Sequence, residues 1–152
     1  MKKLLRLLLP IIFLTACGSK KVTEQQHLFT DRTWQRNQNI SFEFVVKDTA
    51  ATYQMNIGVK YLDNFPFDRI QLSFMLEDPS GEKRVSEHDF YVRNKEGRFL
   101  GKKVKDAMEM DFSVRNGYKF KAPGKVKVTI INQLPYMSTE GIAELSLSVK
   151  RK

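Results

Sequence analysis

The 152-residue chain has one cysteine, two histidines and one tryptophan, and each scarcity removes a class of chemistry. A lone Cys17 excludes an intrachain disulfide and any thiolate cage for a metal, so the fold must be held by packing. His27 and His88 have no metal-ligand spacing to each other or to a carboxylate cluster, which leaves no metal site and no cofactor to expect. Neither a Gly-x-Ser-x-Gly elbow nor a phosphate-cradling glycine loop is present. The one apolar stretch, Leu4 to Leu14, would reach only about 16 Å as a helix against roughly 30 Å of bilayer hydrocarbon, so it is too short for a permanent span.

That stretch has another reading. Lys2, Lys3 and Arg6 supply a basic start, Leu4 to Leu14 an apolar core, and Leu14-Thr15-Ala16-Cys17 small residues at a cleavage point. Residues 1–16 are thus expected to be a bacterial lipoprotein signal peptide. Cys17 is expected to carry an S-diacylglycerol and an N-acyl chain, a tether that needs no membrane-spanning segment. Gly18 in place of a retention aspartate favours the outer membrane, and the basic Ser19-Lys20-Lys21 favours a periplasm-facing domain. Residues 17–33, polar and without period, read as a flexible tether with a reach of roughly 20 Å, leaving 34–152 as one domain.

Of the 26 Lys and Arg, three lie in the signal segment, leaving 23 against 17 Asp and Glu. The excess gathers in Lys102, Lys103 and Lys105, in Lys119, Lys121, Lys125 and Lys127, and in Lys150, Arg151 and Lys152. Acidic lipid headgroups or an acidic partner would suit such clusters, and so would plain solvation of strand faces. Nucleic acid is not an expected partner, because an exported protein does not meet it and no aromatic-basic recognition motif is present.

From Ser41 onward apolar residues alternate at period two, the mark of strands with one buried face. Phe42, Phe44 and Val46 form one such row; Tyr53, Met55, Ile57, Val59 and Tyr61 a second; Ile70, Leu72, Phe74 and Leu76 a third. Asp78-Pro79-Ser80-Gly81 predicts a hairpin into Val85 to Val92, and Asn94-Lys95-Glu96-Gly97 a turn before Arg98-Phe99-Leu100. Met108 to Val114, an Asn116-Gly117 turn, Val126 to Ile130 and Ala143 to Val149 complete the pattern, with a short helix fitting Val104 to Met110. The expected fold is all-β, an antiparallel β-sandwich of immunoglobulin-like or jelly-roll type, with an up-and-down β-barrel as the alternative.

Catalysis finds little footing. Glu87 with Asp89, and Glu109 with Asp111, put two carboxylates on one strand face about 7 Å apart, a separation that a glycosidase pair could use, yet same-face acids are common on solvated strands. No catalytic residue is assigned, and His88 between two acids reads as a solvated strand or loop residue. Trp34 and the Phe65-Pro66-Phe67 segment stand out as large apolar groups outside the strand pattern. They either plug the end of the sandwich or form a candidate interaction surface, including a sugar-stacking platform.

The blocks just named, in their order, resemble the gliding-motility lipoprotein family GldH of Bacteroidetes. The resemblance rests on the lipidation motif, Trp34 ahead of Ser41-Phe42-Glu43-Phe44, Asp48 with Tyr53, and Asn64-Phe65-Pro66-Phe67. It continues through Pro79-Ser80-Gly81, Glu96 to Gly101, Phe120 to Lys125 and Gly141-Ile142. It implies a non-catalytic envelope lipoprotein that supports gliding motility or the associated secretion machinery through protein–protein contacts. A glycan-binding β-sandwich of the outer membrane is the alternative.

Overall fold

The computed structural model describes residues 20–152, so the signal segment and Cys17 lie outside the described residues. Eleven strands and no helix are found among them: β1 (Lys20–Leu28), β2 (Thr33–Gln35), β3 (Ile40–Val46), β4 (Tyr53–Tyr61), β5 (Arg69–Glu77), β6 (Lys83–Tyr91), β7 (Lys102–Val104), β8 (Ala107–Tyr118), β9 (Gly124–Asn132), β10 (Ser138–Glu140) and β11 (Ile142–Arg151). One sheet has the order β1-β11-β4-β8-β7, the other β3-β9-β5-β6, and β10 pairs with β2 in a small ribbon. All pairs are antiparallel. Setting aside the three-residue strands, the eight long ones interleave as four and four in jelly-roll order. The immunoglobulin-like arrangement is therefore not the one adopted, and neither sheet closes into a barrel.

The core follows from the period-two rows. On β3 the buried residues are Ile40, Phe42, Phe44 and Val46, with Ser41, Glu43 and Val45 outward. Facing them across the sandwich are Met55, Ile57 and Val59 of β4 and Leu145, Leu147 and Val149 of β11. At about 1.5–3 kcal/mol for each fully buried large apolar side chain, these rows supply the driving force that a disulfide cannot. The Asp78 turn forms as expected. Its carboxylate accepts from the amides of Ser80 at 2.9 Å and Glu82 at 3.2 Å, and Gly81 takes φ +83°.

Three expectations are corrected. The stretch expected as a tether is, from Lys20 to Leu28, an edge strand laddered to β11. Its inward positions are Thr23, Gln25 and His27, so apolar alternation is missing. The backbone ladder, a Gln25 side-chain bond to the Glu43 carbonyl at 2.6 Å and His27 edge-on to Phe29 at 4.8 Å hold it instead. The short helix over 104–110 is a β-hairpin from β7 to β8, turned by Lys105 at φ 55°. Asn116-Gly117 makes no chain reversal. β8 runs through it, with register shifts against β4 at 53–55 and 55–56 that mark bulges, and Gly117 at φ +70°. The Asn94 turn before Arg98-Phe99-Leu100 forms as expected and leads into a single bridge, Arg93 to Phe99.

Candidate functional site

The strand directions sort the loops into two poles. The segments 29–39, 62–68, 92–106 and 133–141 gather at one, here the loop pole. The turns 47–52, 78–82 and 119–123 gather at the other with the start of β1 and the end of β11. Contact between Lys121 and Glu82 at 2.8 Å ties two of these turns together.

Trp34 sits at the loop pole but not on its surface. β2 pairs it with Thr139, its indole nitrogen donates to the Gln38 carbonyl at 2.9 Å, its carbonyl accepts from Asn132 at 3.3 Å, and its exposure is 0%. Phe65 is equally enclosed at 0%, between Tyr61 at 6.1 Å and Phe67 at 5.8 Å. Gly141 makes this approach possible. At φ +83° it lies so close that a Cβ would be 2.7 Å from the Phe65 nitrogen. Arg93 completes the plug, donating to the Phe65 carbonyl at 2.8 Å and lying 4.4 Å over the Phe99 ring. Tyr61 is clamped beneath, donating to the Val92 carbonyl and accepting from the Gly101 amide, each at 3.2 Å; burial pushes its phenol pKa up.

Trp34 and Phe65 are thus interior, which corrects their place in the expected interaction surface. They hold the loops that carry the exposed part. Pro66 is exposed and Phe67 half-buried, 5.2 Å from Tyr136. Tyr136 is 58% exposed and Met137 70%. Sequence reasoning missed these last two, although Pro135-Tyr136-Met137 carries the same signal as Phe65-Pro66-Phe67, bulky apolar residues beside proline between two strands. The exposed rim is therefore Pro66, Phe67, Tyr136 and Met137.

The carboxylate pairs lie elsewhere. Glu87 and Asp89 point outward from β6, with Arg69 3.5 Å from Asp89, beside a shallow depression bordered by Gln71 and Gln133. His88 points the other way, contrary to expectation. It is half-buried, stacked on Phe90 at 5.4 Å and bonded to the Ser86 hydroxyl at 2.9 Å, so burial and then the nearby Arg115 lower its pKa. On the outer face of the five-stranded sheet, Lys60 sits 2.9 Å from Glu144 and 3.7 Å from Glu109. The Glu144 hydrogen bond raises the Lys60 pKa. Among the described residues no three His, Cys, Asp or Glu converge as a metal site.

By fold and surface this is a jelly-roll module closed at one end by aromatic loops, with its first strand three residues beyond the lipidation motif. The model of the GldH lipoprotein family matches residues 21–149, which is β1 to β11 almost end to end, and the chain belongs to that family. It is similar to the gliding motility lipoprotein GldH of Flavobacterium johnsoniae, 26% identical over 96% of this chain and 94% of that one. A GldH homolog of Christiangramia forsetii is 22% identical over 79% and 73%. Among solved structures, the CBM35 of Cellvibrio japonicus Abf62 aligns over 87% of this chain and 88% of that one, at 8% identity and a TM-score of 0.34, a likeness too weak to carry any argument.

Proposed function

We propose that this protein is an outer-membrane lipoprotein, acylated on Cys17 and facing the periplasm, that supports gliding motility or its associated secretion machinery through protein–protein contacts and without chemistry of its own. The family match along the whole domain carries this reading, joined to the lipidation motif just ahead of it. The rim of Pro66, Phe67, Tyr136 and Met137 is the contact surface on this account. Such a rim is apolar enough to bury against a partner and is backed by a rigid plug, so little order need be gained on binding. Glycan stacking would have to use Phe67 and Tyr136, since Trp34 and Phe65 are enclosed.

The test is complementation of a deletion strain with the wild-type gene and with Cys17→Ser. The variant is expected to lose membrane retention and motility while the purified protein keeps its circular dichroism and unfolding midpoint. Full motility from the unanchored form would overturn the proposal.

A further inference from the structure

We infer that the cleft at the pole opposite the aromatic rim receives the phosphate of a membrane lipid headgroup, so that the domain rests on the membrane by this end. The inference rests on acylation of Cys17. Three residue steps separate Cys17 from Lys20, which spans at most about 11 Å, so the anchor and the start of β1 cannot be far apart. A reach of roughly 20 Å is lost once residues 20–28 are a strand.

The chain places its charge at that same point. Lys20 lies opposite Arg151 and Lys21 opposite Lys150 in the β1–β11 ladder, although like charges directly across a ladder are unfavourable. Lys47, from the turn between β3 and β4, joins Lys20, Lys21 and Arg151 around a cleft of about 290 Å³ that also includes Val22, Val45 and Tyr53, with Lys150 just outside it. One carboxylate, Asp48, lines it, and that group is engaged: it faces Arg151 at 3.1 Å and accepts from the amides of Ala50 and Ala51 at 3.0 and 3.2 Å. Lys21 is against Glu24. Lys20, Lys47, Lys119 and Lys150 have no carboxylate within ion-pair distance among the described residues, and the Lys152 ammonium donates to the Asn116 side chain at 3.1 Å. A concave site lined by four cations, two of them, Lys20 and Lys47, without a carboxylate partner, fits a phosphodiester or phosphomonoester.

Charge alone would not choose this pole, because Lys102, Lys103 and Lys105 lie at the other end. A strand of nine residues puts that end about 30 Å away. Proximity to the anchor makes the choice. Anionic headgroups attract basic segments over a Debye length, about 8 Å at physiological salt, and a link of at most about 11 Å keeps the basic pole, rather than the far one, close to that range.

The experiment uses the full acylated protein in vesicles, labelled with a fluorophore at Thr49→Cys or, separately, at Tyr136→Cys, with a headgroup-quencher lipid. Vesicles of phosphatidylcholine alone are compared with vesicles holding about a third phosphatidylglycerol. Quenching at position 49 is expected to exceed that at 136, and to rise about threefold or more with phosphatidylglycerol. It should fall back in K20E/K21E/K47E, the lysines that line the cleft, and stay in K102E/K103E/K105E, which makes the same charge change at the far pole. High salt on the wild-type chain should reproduce the loss without any substitution. Equal quenching at both positions, or indifference to phosphatidylglycerol, overturns the docking with the anchor intact. An intact mass without acyl groups on Cys17 overturns the anchor and the docking together.

Discussion

At the loop pole the sandwich ends in rings: Trp34, Tyr61, Phe65 and Phe99 are packed under short loops, with Phe67 and Tyr136 reaching the surface. At the other pole Tyr53 and Phe120, 5.1 Å apart, close the core from within, and beyond them come Lys20, Lys47, Lys119, Lys150 and Lys152. The first pole is defined by what is buried, the second by what is left in solvent. Substitutions at the loop pole should therefore act through folding. Those at the basic pole should act through charge.

The largest contrast comes from truncating the plug. Trp34→Ala is expected to cost about 3–5 kcal/mol in a denaturant titration, because a fully enclosed ring leaves a cavity. Lys47→Ala should stay within about 0.5 kcal/mol of wild type. Next, Gly141→Ala forces an L residue into φ +83° and a Cβ against the Phe65 backbone, for an expected loss of about 1–3 kcal/mol. If unfolding shows no such loss, the loops at this pole are not rigidly coupled.

One position at the basic pole breaks the rule in a predictable way. Asp78 is buried there and its carboxylate accepts two turn amides and the Ser80 hydroxyl, so Asp78→Ala should cost about 1–3 kcal/mol, with Asp78→Asn recovering part. The smallest effect concerns Glu82, which Arg84 and Lys121 hold at a pKa of about 2 against an ordinary 4.5. Depressed in the folded state, it contributes stability above its unfolded pKa and loses that contribution as pH falls from 4.5 through 2. Because its carboxylate is open to solvent and screened there, it should move acid unfolding only slightly. A carboxyl NMR titration checks the value, and Glu82→Gln, which frees two cations, should strengthen binding to phosphatidylglycerol vesicles.

Legibility in the sequence differed between the poles for physical reasons. Period two located β3, β4, β5, β9 and β11, because strands buried on one face must alternate. It failed on β1, whose inward residues Thr23, Gln25 and His27 sit at a sheet edge where polar side chains find bonds. Asn116-Gly117 has the composition of a turn, yet continued pairing of β8 with β4 absorbs it as a bulge. The choice of jelly roll over immunoglobulin order depends on contacts between distant strands, such as β1 with β11, that no local pattern encodes. Of the site, the Phe65-Pro66-Phe67 segment was legible as unusual and as a plug for the end of the sandwich, while the residues that enclose Phe65 were not. Enclosure of Phe65 depends on Gly141 and Arg93, far away in the chain, as well as on the nearby Tyr61. The basic clusters were legible one by one. Their division between two poles was not, because Lys21 and Lys150 meet only through the β1–β11 ladder.

The most direct test of the account is site-specific photo-crosslinking in living cells, with a benzoylphenylalanine placed at Tyr136 in one strain and at Thr49 in another. A rim that meets a protein partner and a pole that meets the membrane predict a discrete protein adduct from position 136 and none from position 49. A discrete protein adduct from 49, with none from 136, would contradict it.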